Sequence, residues 1–266
     1  MTSIQGMLSH RWRVPAEAFE VWTEDGVRIF GTRLGDPDPG RPAVVLAHGL
    51  MGWHRKPRIA GFGERLTTWS TVYAMDLRGH GRSGGVCDYG GAEIADIEAV
   101  RELASDRGHR TIVTIGTSMG AITTIRHGAL LGGVAAVVAI SSLAPWDWHA
   151  AAHPRTRRNM TAAIGTAAGR SALRALGVRL PAQWHRPESP LDVIGKIAPT
   201  PVVLVHGTDD RLFPPVHAER LFEAAGEPKR LLLGDGFGHA EDGMTAAFAD
   251  RLIRTIHEVL EVPWSG

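Results

Sequence analysis

Short apolar runs recur along this 266-residue chain, most of them separated by enough residues for one helix, and that rhythm restricts the fold more than any single motif does. The runs AVVLAHG (43–49), TVYAMDL (71–77), TIVTIGT (111–117), VAAVVAISS (134–142), PVVLVHG (201–207) and KRLLLGD (229–235) lack a clean alternation of apolar and polar residues. Strands of that kind are covered on both faces, which implies a parallel sheet. Helical patterns fit around 58–69, 91–108, 118–131, 215–226 and 245–260. Within 91–108, Ile94, Ile97, Val100 and Leu103 fall near one face, with acids early and Arg107 late, in accord with the helix dipole. EVWTEDGVRIFGTRL (20–34) reads as two strands around Asp25-Gly26, a dipeptide suited to a tight hairpin turn. Strands alternating with crossover helices predict a doubly wound, mostly parallel α/β sheet, led by an antiparallel N-terminal hairpin.

With 44% hydrophobic and 21% charged residues, the whole span 1–266 suits one large domain. A net charge of +1 gives no general attraction to nucleic acid or to an anionic membrane. The single cysteine, Cys87, has no partner for an internal disulfide and fits a reducing compartment. The first stretch, MTSIQGMLSHRWRVP, has no apolar core of a leader, and the run VAAVVAI (134–140) is too short to cross a bilayer. These features set the expectation of a cytoplasmic protein without a membrane span or a nucleic-acid partner; they say nothing of oligomeric state.

TIVTIGTSMGA (111–121) ends a strand on Ser118, with Gly116 and Gly120 two residues to either side and helix formers after it. A serine forced into a strained conformation where a parallel strand turns into a helix needs glycine at both positions, because side chains there would collide. The turn would lift the hydroxyl clear of the sheet and leave the N–H of Met119 free at a helix N-terminus. A plain N-cap role is the simpler reading of Ser118. A serine nucleophile needs an imidazole to take its proton and a carboxylate to orient that imidazole. Both candidates follow at the ends of later strands: HGTDDRLFPP after PVVLVHG, and GDGFGHAEDG with His239. Serine, acid and histidine therefore come in that order along the chain.

LAHGLMG (46–52), YAMDLRGHGRSGG (73–85), IGTSMGA (115–121) and HGTDDRLFP with GFGHA together resemble the α/β-hydrolase superfamily, in its esterase, lipase and acylglycerol-hydrolase-like branch, over nearly the whole chain. The resemblance implies the α/β-hydrolase fold. It selects Asp210 over Asp209 as the acid, the third residue after the glycine of H-G-x-x-D, and makes the N–H groups of Leu50 and Met119 the oxyanion donors. One departure is Ala121, where the family often has glycine. The implied activity is that of a serine hydrolase that cleaves a carboxylic ester or thioester through an acyl-enzyme on Ser118, Asp210 and His239, with no cofactor and a small acyl ester or thioester as substrate. Thioesterase, peptidase, carbon–carbon bond hydrolase and cofactor-free haloperoxidase chemistry can use the same triad. A ligand-binding receptor that turns over slowly or never is the alternative from another class.

Several neighbours imitate catalytic residues. His48 reads as a brace for the oxyanion turn, and His206 comes too early, on the acid's own loop. Asp76, Arg78, His80 and Ser83 read as loop scaffolding, with Asp76 and Arg78 bonding nearby backbone. Asp147, after the 134–142 strand, is the reserve acid. Cys87 reads as a small neutral side chain near the site, and no metal-ligand spacing is present.

The stretch 143–190 breaks the strand–helix rhythm and is read as a small helical lid inserted in the domain, with Met160, Ile164 and Ala167 on one face and Leu173 and Leu176 continuing the apolar side. Between Ala150 and Pro187 it carries Arg155, Arg157, Arg158, Arg170, Arg174, Arg179 and Arg186 and no acid. Solvation of an outer face is the plainer account of these arginines. The sharper one, put on Arg157 and Arg158, is that some point inward and select acyl groups attached to anionic carriers or acids. Trp146, Trp148 and Trp184 are candidate apolar walls.

Overall fold

The computed structural model describes residues 8–147 and 153–261. The first two strands, β1 (Ala16–Trp22) and β2 (Arg28–Leu34), form the antiparallel hairpin. β1 begins four residues before the predicted start at 20, and the connection is a wider loop, Thr23 to Val27. The Thr23 N–H donates to the Val27 carbonyl at 2.9 Å, Thr23 Oγ1 accepts the Val27 N–H at 2.9 Å, and Gly26 takes the left-handed conformation at φ 76°. The hydroxyl thus does part of the work that the Asp-Gly pair alone suggested.

Six further strands follow: β3 (Ala43–Ala47), β4 (Thr71–Asp76), β5 (Ile112–Thr117), β6 (Ala136–Ile140), β7 (Val202–Gly207) and β8 (Lys229–Gly234). The sheet order is β1-β2-β4-β3-β5-β6-β7-β8, with β2 also antiparallel to β4 and every later pair parallel. Each residue of β3 to β7 is buried, whereas β1 and β8, at the edges, are partly exposed. Two-sided burial explains why the central runs show no alternation in sequence, even though their side chains do alternate in space.

The two faces fill separate cores. Val44 and Leu46 join Val72, Ile115, Val138 and Val203 on the face covered by α1 (Pro57–Leu66) and α8 (Ala246–Glu261). Their chain neighbours Ala43, Val45 and Ala47 join Tyr73 and Met75 against α2 (Ile94–Asp106) on the other face. Val137, Ala139 and Leu204 extend that second face under α3 (Met119–Leu130), the short α6 (Pro190–Val193) and α7 (Val216–Ala224). Full burial of each such aliphatic side chain favours folding by about 1.5–3 kcal/mol.

α2 buries the middle of the face its aliphatic spacing predicts, Ile97 and Val100, and widens it with Asp96, Ala99 and Ala104. Asp96, Ile97, Ala99, Val100 and Ala104 are buried, while Ile94 and Leu103 are only partly so. Asp96 is drawn in by Arg78, whose backbone N–H and Nε both bond it at 2.7 Å. A specific ion partner, not the helix dipole, therefore decides where this acid sits.

After β6 come α4 (Pro154–Gly165) and α5 (Ala167–Ala175), then an irregular strap that reaches α6. Thr166 separates the two helices and caps the second, its Oγ1 accepting the Gly169 N–H at 3.0 Å. Leu173 is buried, but Ala167 is exposed and Leu176 is 48% exposed, so the apolar side predicted to run through both ends at Leu173. Among the described residues, no helix is long and apolar enough to cross a membrane.

Candidate active site

The chain leaves β3 for β4 on one side and returns to β5 on the other, so the carboxyl ends of β3 and β5 flank a switch point, where open α/β sheets hold their ligands. Gly49 and Leu50 follow β3 there, and Ser118 follows β5. Ser118 has φ 53° and ψ −114°, a conformation that costs a non-glycine residue of order 1–3 kcal/mol. Its amide is fixed by the Ile140 carbonyl at 2.8 Å, and its carbonyl accepts the N–H of Ala121 at 2.9 Å, which starts α3. The side chain does not cap that helix. Ser118 Oγ lies instead 2.8 Å from His239 Nε2, which sets aside the plain N-cap reading.

His239 comes from the loop after β8, and Asp210 from the loop after β7. Asp210 Oδ2 accepts the Nδ1–H of His239 at 2.7 Å, leaving Nε2 as the acceptor for the serine hydroxyl. Asp210 Oδ1 takes the N–H groups of Leu212 and Phe213, each at 2.9 Å. Burial would raise this carboxyl, but hydrogen bonds from His206, His239 and the Phe213 N–H, with the charge of His239, hold it well below the usual carboxylate range. Asp209 and Asp147 are exposed, and His239 Nδ1 is engaged by Asp210. The Phe213 ring meets the imidazole edge to face at 5.2 Å, and Ser141 Oγ accepts the N–H of Ala240 at 3.0 Å, so the ring is held from both sides.

The other histidines of the region are occupied. His48 Nδ1 donates to the Gly49 carbonyl at 2.7 Å, and its Nε2 accepts the Leu77 N–H at 3.1 Å, so it clamps the turn that carries Leu50. Burial pushes it down to about 4, which keeps it neutral. His206 Nε2 donates to the Phe213 carbonyl at 2.5 Å behind Asp210. In that turn the Gly52 N–H bonds the Gly49 carbonyl at 2.9 Å, Met51 is left-handed at φ 63°, and Leu50 lines the same cavity as Ser118 and Met119.

Asp76, Ser83 and Arg78 are engaged by the loops around them and are not among the residues that line the cavity at the serine. Asp76 receives the N–H groups of His54 and Arg82 at 2.9 Å and His54 Nδ1 at 2.7 Å. Ser83 Oγ bonds the Asp76 carbonyl at 2.5 Å and accepts the Phe30 N–H at 2.9 Å. The guanidinium of Arg78 departs from the expected backbone role: it pairs with Asp96 and, bidentately at 2.6 and 2.9 Å, with Asp25 in the hairpin loop. His80 Nδ1 donates to the Arg78 carbonyl at 3.0 Å, and burial pushes the ring down to about 3. Cys87 is fully buried with Sγ 3.4 Å from Met119 Sδ, and burial raises its thiol well above the usual range. Ala121 is fully buried in the second-face core.

The serine opens into a cavity of about 890 Å³. Much of its lining is apolar, with Met119, Ile122, Leu143 and Phe213 joined by Met160 and Ile164 of α4. Trp146 and Trp184 also line it, with ring centroids 5.0 Å apart and indole N–H groups fixed by the carbonyls of Pro187 and Asp88 at 2.6 and 3.1 Å. Trp148 lies outside the described residues. Lys56 bonds Glu241 at 3.0 Å and Arg58 bonds Asp242 at 2.6 Å, and these four lining residues clasp the His239 loop to the start of α1. WHRKPR and HAED carry these charges in the sequence, but nothing there pairs them across more than 180 residues.

The seven arginines of 150–187 divide by position. Arg155, Arg157, Arg158 and Arg174 are exposed and none of them lines the cavity, so the inward position expected of Arg157 and Arg158 is not theirs; Arg170, half-buried, and Arg186, exposed, do line it. Arg179 caps backbone, bonding the carbonyls of Ser83, Gly84 and Gly85. Among the described residues, no group of three or more His, Cys, Asp or Glu side chains is placed to hold a metal ion.

A family model described as the alpha/beta hydrolase family matches residues 44–251. The uncharacterized protein YfhR of Escherichia coli (strain K12) is 28% identical over 251 residues, covering 89% of this chain and 76% of that protein. The uncharacterized protein YqkD of Bacillus subtilis (strain 168) is 31% identical over 174 residues, 64% of this chain and 55% of that one. Among solved structures, the Pyrococcus furiosus esterase Pf2001 superposes with a TM-score of 0.73 at 22% identity, covering 97% of this chain and 96% of that one. The alpha/beta hydrolase GrgF from Penicillium sp. sh18 gives 0.72 at 18% identity, covering 93% and 99%. At such identities the likeness to these two structures is one of fold.

Proposed function

The chain belongs to the alpha/beta hydrolase family, and from that premise we propose that it is a serine hydrolase cleaving a carboxylic ester or thioester through an acyl-enzyme. The observation that carries this reading is the continuous line Ser118 Oγ, His239 Nε2, His239 Nδ1, Asp210 Oδ2, with hydrogen bonds of 2.8 and 2.7 Å. Ser118 Oγ attacks the acyl carbonyl while His239 Nε2 takes its proton. Asp210 supports the imidazolium that forms, and the N–H groups of Leu50 and Met119 receive the charge developing on the carbonyl oxygen. His239 then protonates the departing alcohol or thiol, and afterwards removes a proton from the water that releases the acid.

The segment 143–190 acts as a lid, its α4 and α5 covering an apolar trough for the acyl chain. The structural neighbour Pf2001, an esterase by its description, is consistent with this reading. Ser118→Ala is expected to fold like the wild type and to lose hydrolysis of p-nitrophenyl acyl esters by a factor on the order of 10⁶. Unchanged hydrolysis in that variant would overturn the assignment.

A further inference from the structure

Four cationic side chains line the cavity, and they are not equivalent. Lys56 and Arg58 are spent on Glu241 and Asp242, the two acids of the same wall. Arg170 and Arg186 have no carboxylate within salt-bridge distance among the described residues. Among the described residues, the Arg170 guanidinium makes a long contact of 3.3 Å to the Ile164 carbonyl, while the Arg170 backbone N–H continues the helix to Thr166. The Arg186 guanidinium, on the exposed rim, lies 5.9 Å from the Trp184 ring centroid. Other arginines tie the surrounding loops down. Arg126 bonds the carbonyls of Gly90 and Glu188, and Arg179 those of the 83–85 loop, so the rim that presents Arg186 is fixed to the body.

Tyr89, Trp146 and Trp184 line the same cavity as these two guanidiniums and the serine; the Trp184 ring meets that of Trp146 at 87° and that of Tyr89 at 66°, with centroids 5.0 and 5.3 Å apart. Burial pushes the Tyr89 hydroxyl up to about 12, so that ring adds no negative charge near neutral pH. An apolar lining, a cluster of aromatic rings and two guanidiniums without acids in one cavity suit a molecule that joins an apolar or aromatic spacer to an anion.

Resting on the serine-hydrolase reading above, we infer that the substrate is an anionic ester or thioester, its charged group held by Arg170 and Arg186 while its acyl carbonyl meets Ser118. The charge can sit on the acyl side, as in a monoester of a dicarboxylic acid, or on the leaving alcohol or thiol. A guanidinium bonded to a carboxylate is among the stronger protein hydrogen bonds, and replacing the anion by a neutral isostere leaves both arginines without it.

The test compares matched esters by kcat/KM. For the acyl side the pair is p-nitrophenyl hydrogen adipate and its methyl ester; for the leaving side, 4-carboxyphenyl hexanoate and its methyl ester. The wild type is expected to prefer the anionic member of one pair by roughly 10- to 100-fold, the range of one charge-assisted hydrogen bond. The ratio should fall toward one in Arg170→Gln/Arg186→Gln and stay high in Arg155→Gln, on the exposed side of α4. Should the double variant not fold, Arg186→Gln alone serves the same comparison. Equal turnover of both members of both pairs, or a preference that survives in the arginine variants, overturns the inference. If no ester is hydrolysed at all, the hydrolase reading fails, and the inference is decided by calorimetry on Ser118→Ala. Monomethyl adipate binding at least tenfold tighter than dimethyl adipate, with the difference lost in the arginine variants, supports it; equal binding overturns it.

Discussion

At Gly116 there is no room for a side chain: a methyl group there would meet the Gly120 carbonyl oxygen at 2.0 Å, and one at Gly120 would meet that of Ala47 at 2.5 Å. The two glycines let the strand end, the left-handed Ser118 and the first turn of α3 overlap in a space too small for any β carbon. Gly116→Ala is therefore expected to cost at least about 1–3 kcal/mol, read as a lower urea midpoint, because backbone on both sides would have to move. Asp210 is a case of a different kind. It already makes its full set of hydrogen bonds, so Asp210→Asn should fold, but its amide can hold the imidazole with the proton on the wrong nitrogen. The expected loss is about 10⁴-fold in kcat on p-nitrophenyl esters, with a circular dichroism spectrum like that of the wild type.

At the scale of elements, α2 and α3 are joined by charge as well as by packing. Glu98 of α2 accepts His127 Nε2 of α3 at 2.8 Å and is gripped by Arg101 at 2.7 Å on both oxygens. Burial raises this carboxyl, but the bonds from His127 and Arg101 outweigh it and pull it from its ordinary 4.5 down to about 2. A carboxylate depressed on folding lends stability in full above its unfolded value and loses it as pH falls toward the folded one. Glu98→Gln should therefore be less stable than the wild type near pH 7 by about 1–3 kcal/mol, with the urea curves converging between about pH 4 and pH 2. A gap that persists at pH 2 would mean that the contact acts through shape, not charge. The strands of this molecule were legible in sequence because each central strand is a short, largely apolar run whose burial is two-sided. What was not legible are pairings whose partners lie far apart in the chain. Arg78 was read as a backbone ligand, yet it bonds Asp25 in the hairpin and Asp96 in α2. The exposed end of α5 at Leu176, and the choice of Arg170 and Arg186 as the cavity arginines, depend on how two short helices lean, which no periodicity of theirs specifies. Ser118 and His239 could be picked out as candidates because each lies in a short glycine-bearing motif at a strand end, whereas Asp210 was set apart from Asp209 only by the family resemblance.

For the whole molecule, the sheet order is what brings chemistry together. β5, β7 and β8 deliver a serine, an acid and a histidine to one rim, with serine and histidine 121 positions apart in the chain and acid and histidine 29 positions apart, and the hydrogen bonds they make there exist only in the folded chain. Reactivity of the Ser118 hydroxyl is then a property of three loops at once. The most direct measurement is the rate of labelling by a fluorophosphonate, with the modified residue located by peptide mass spectrometry. The expected result is a single adduct on Ser118 of the native protein, slowed by orders of magnitude in His239→Gln and abolished in urea. Labelling at another residue, or at Ser118 with the same rate when His239 is replaced, would contradict the account.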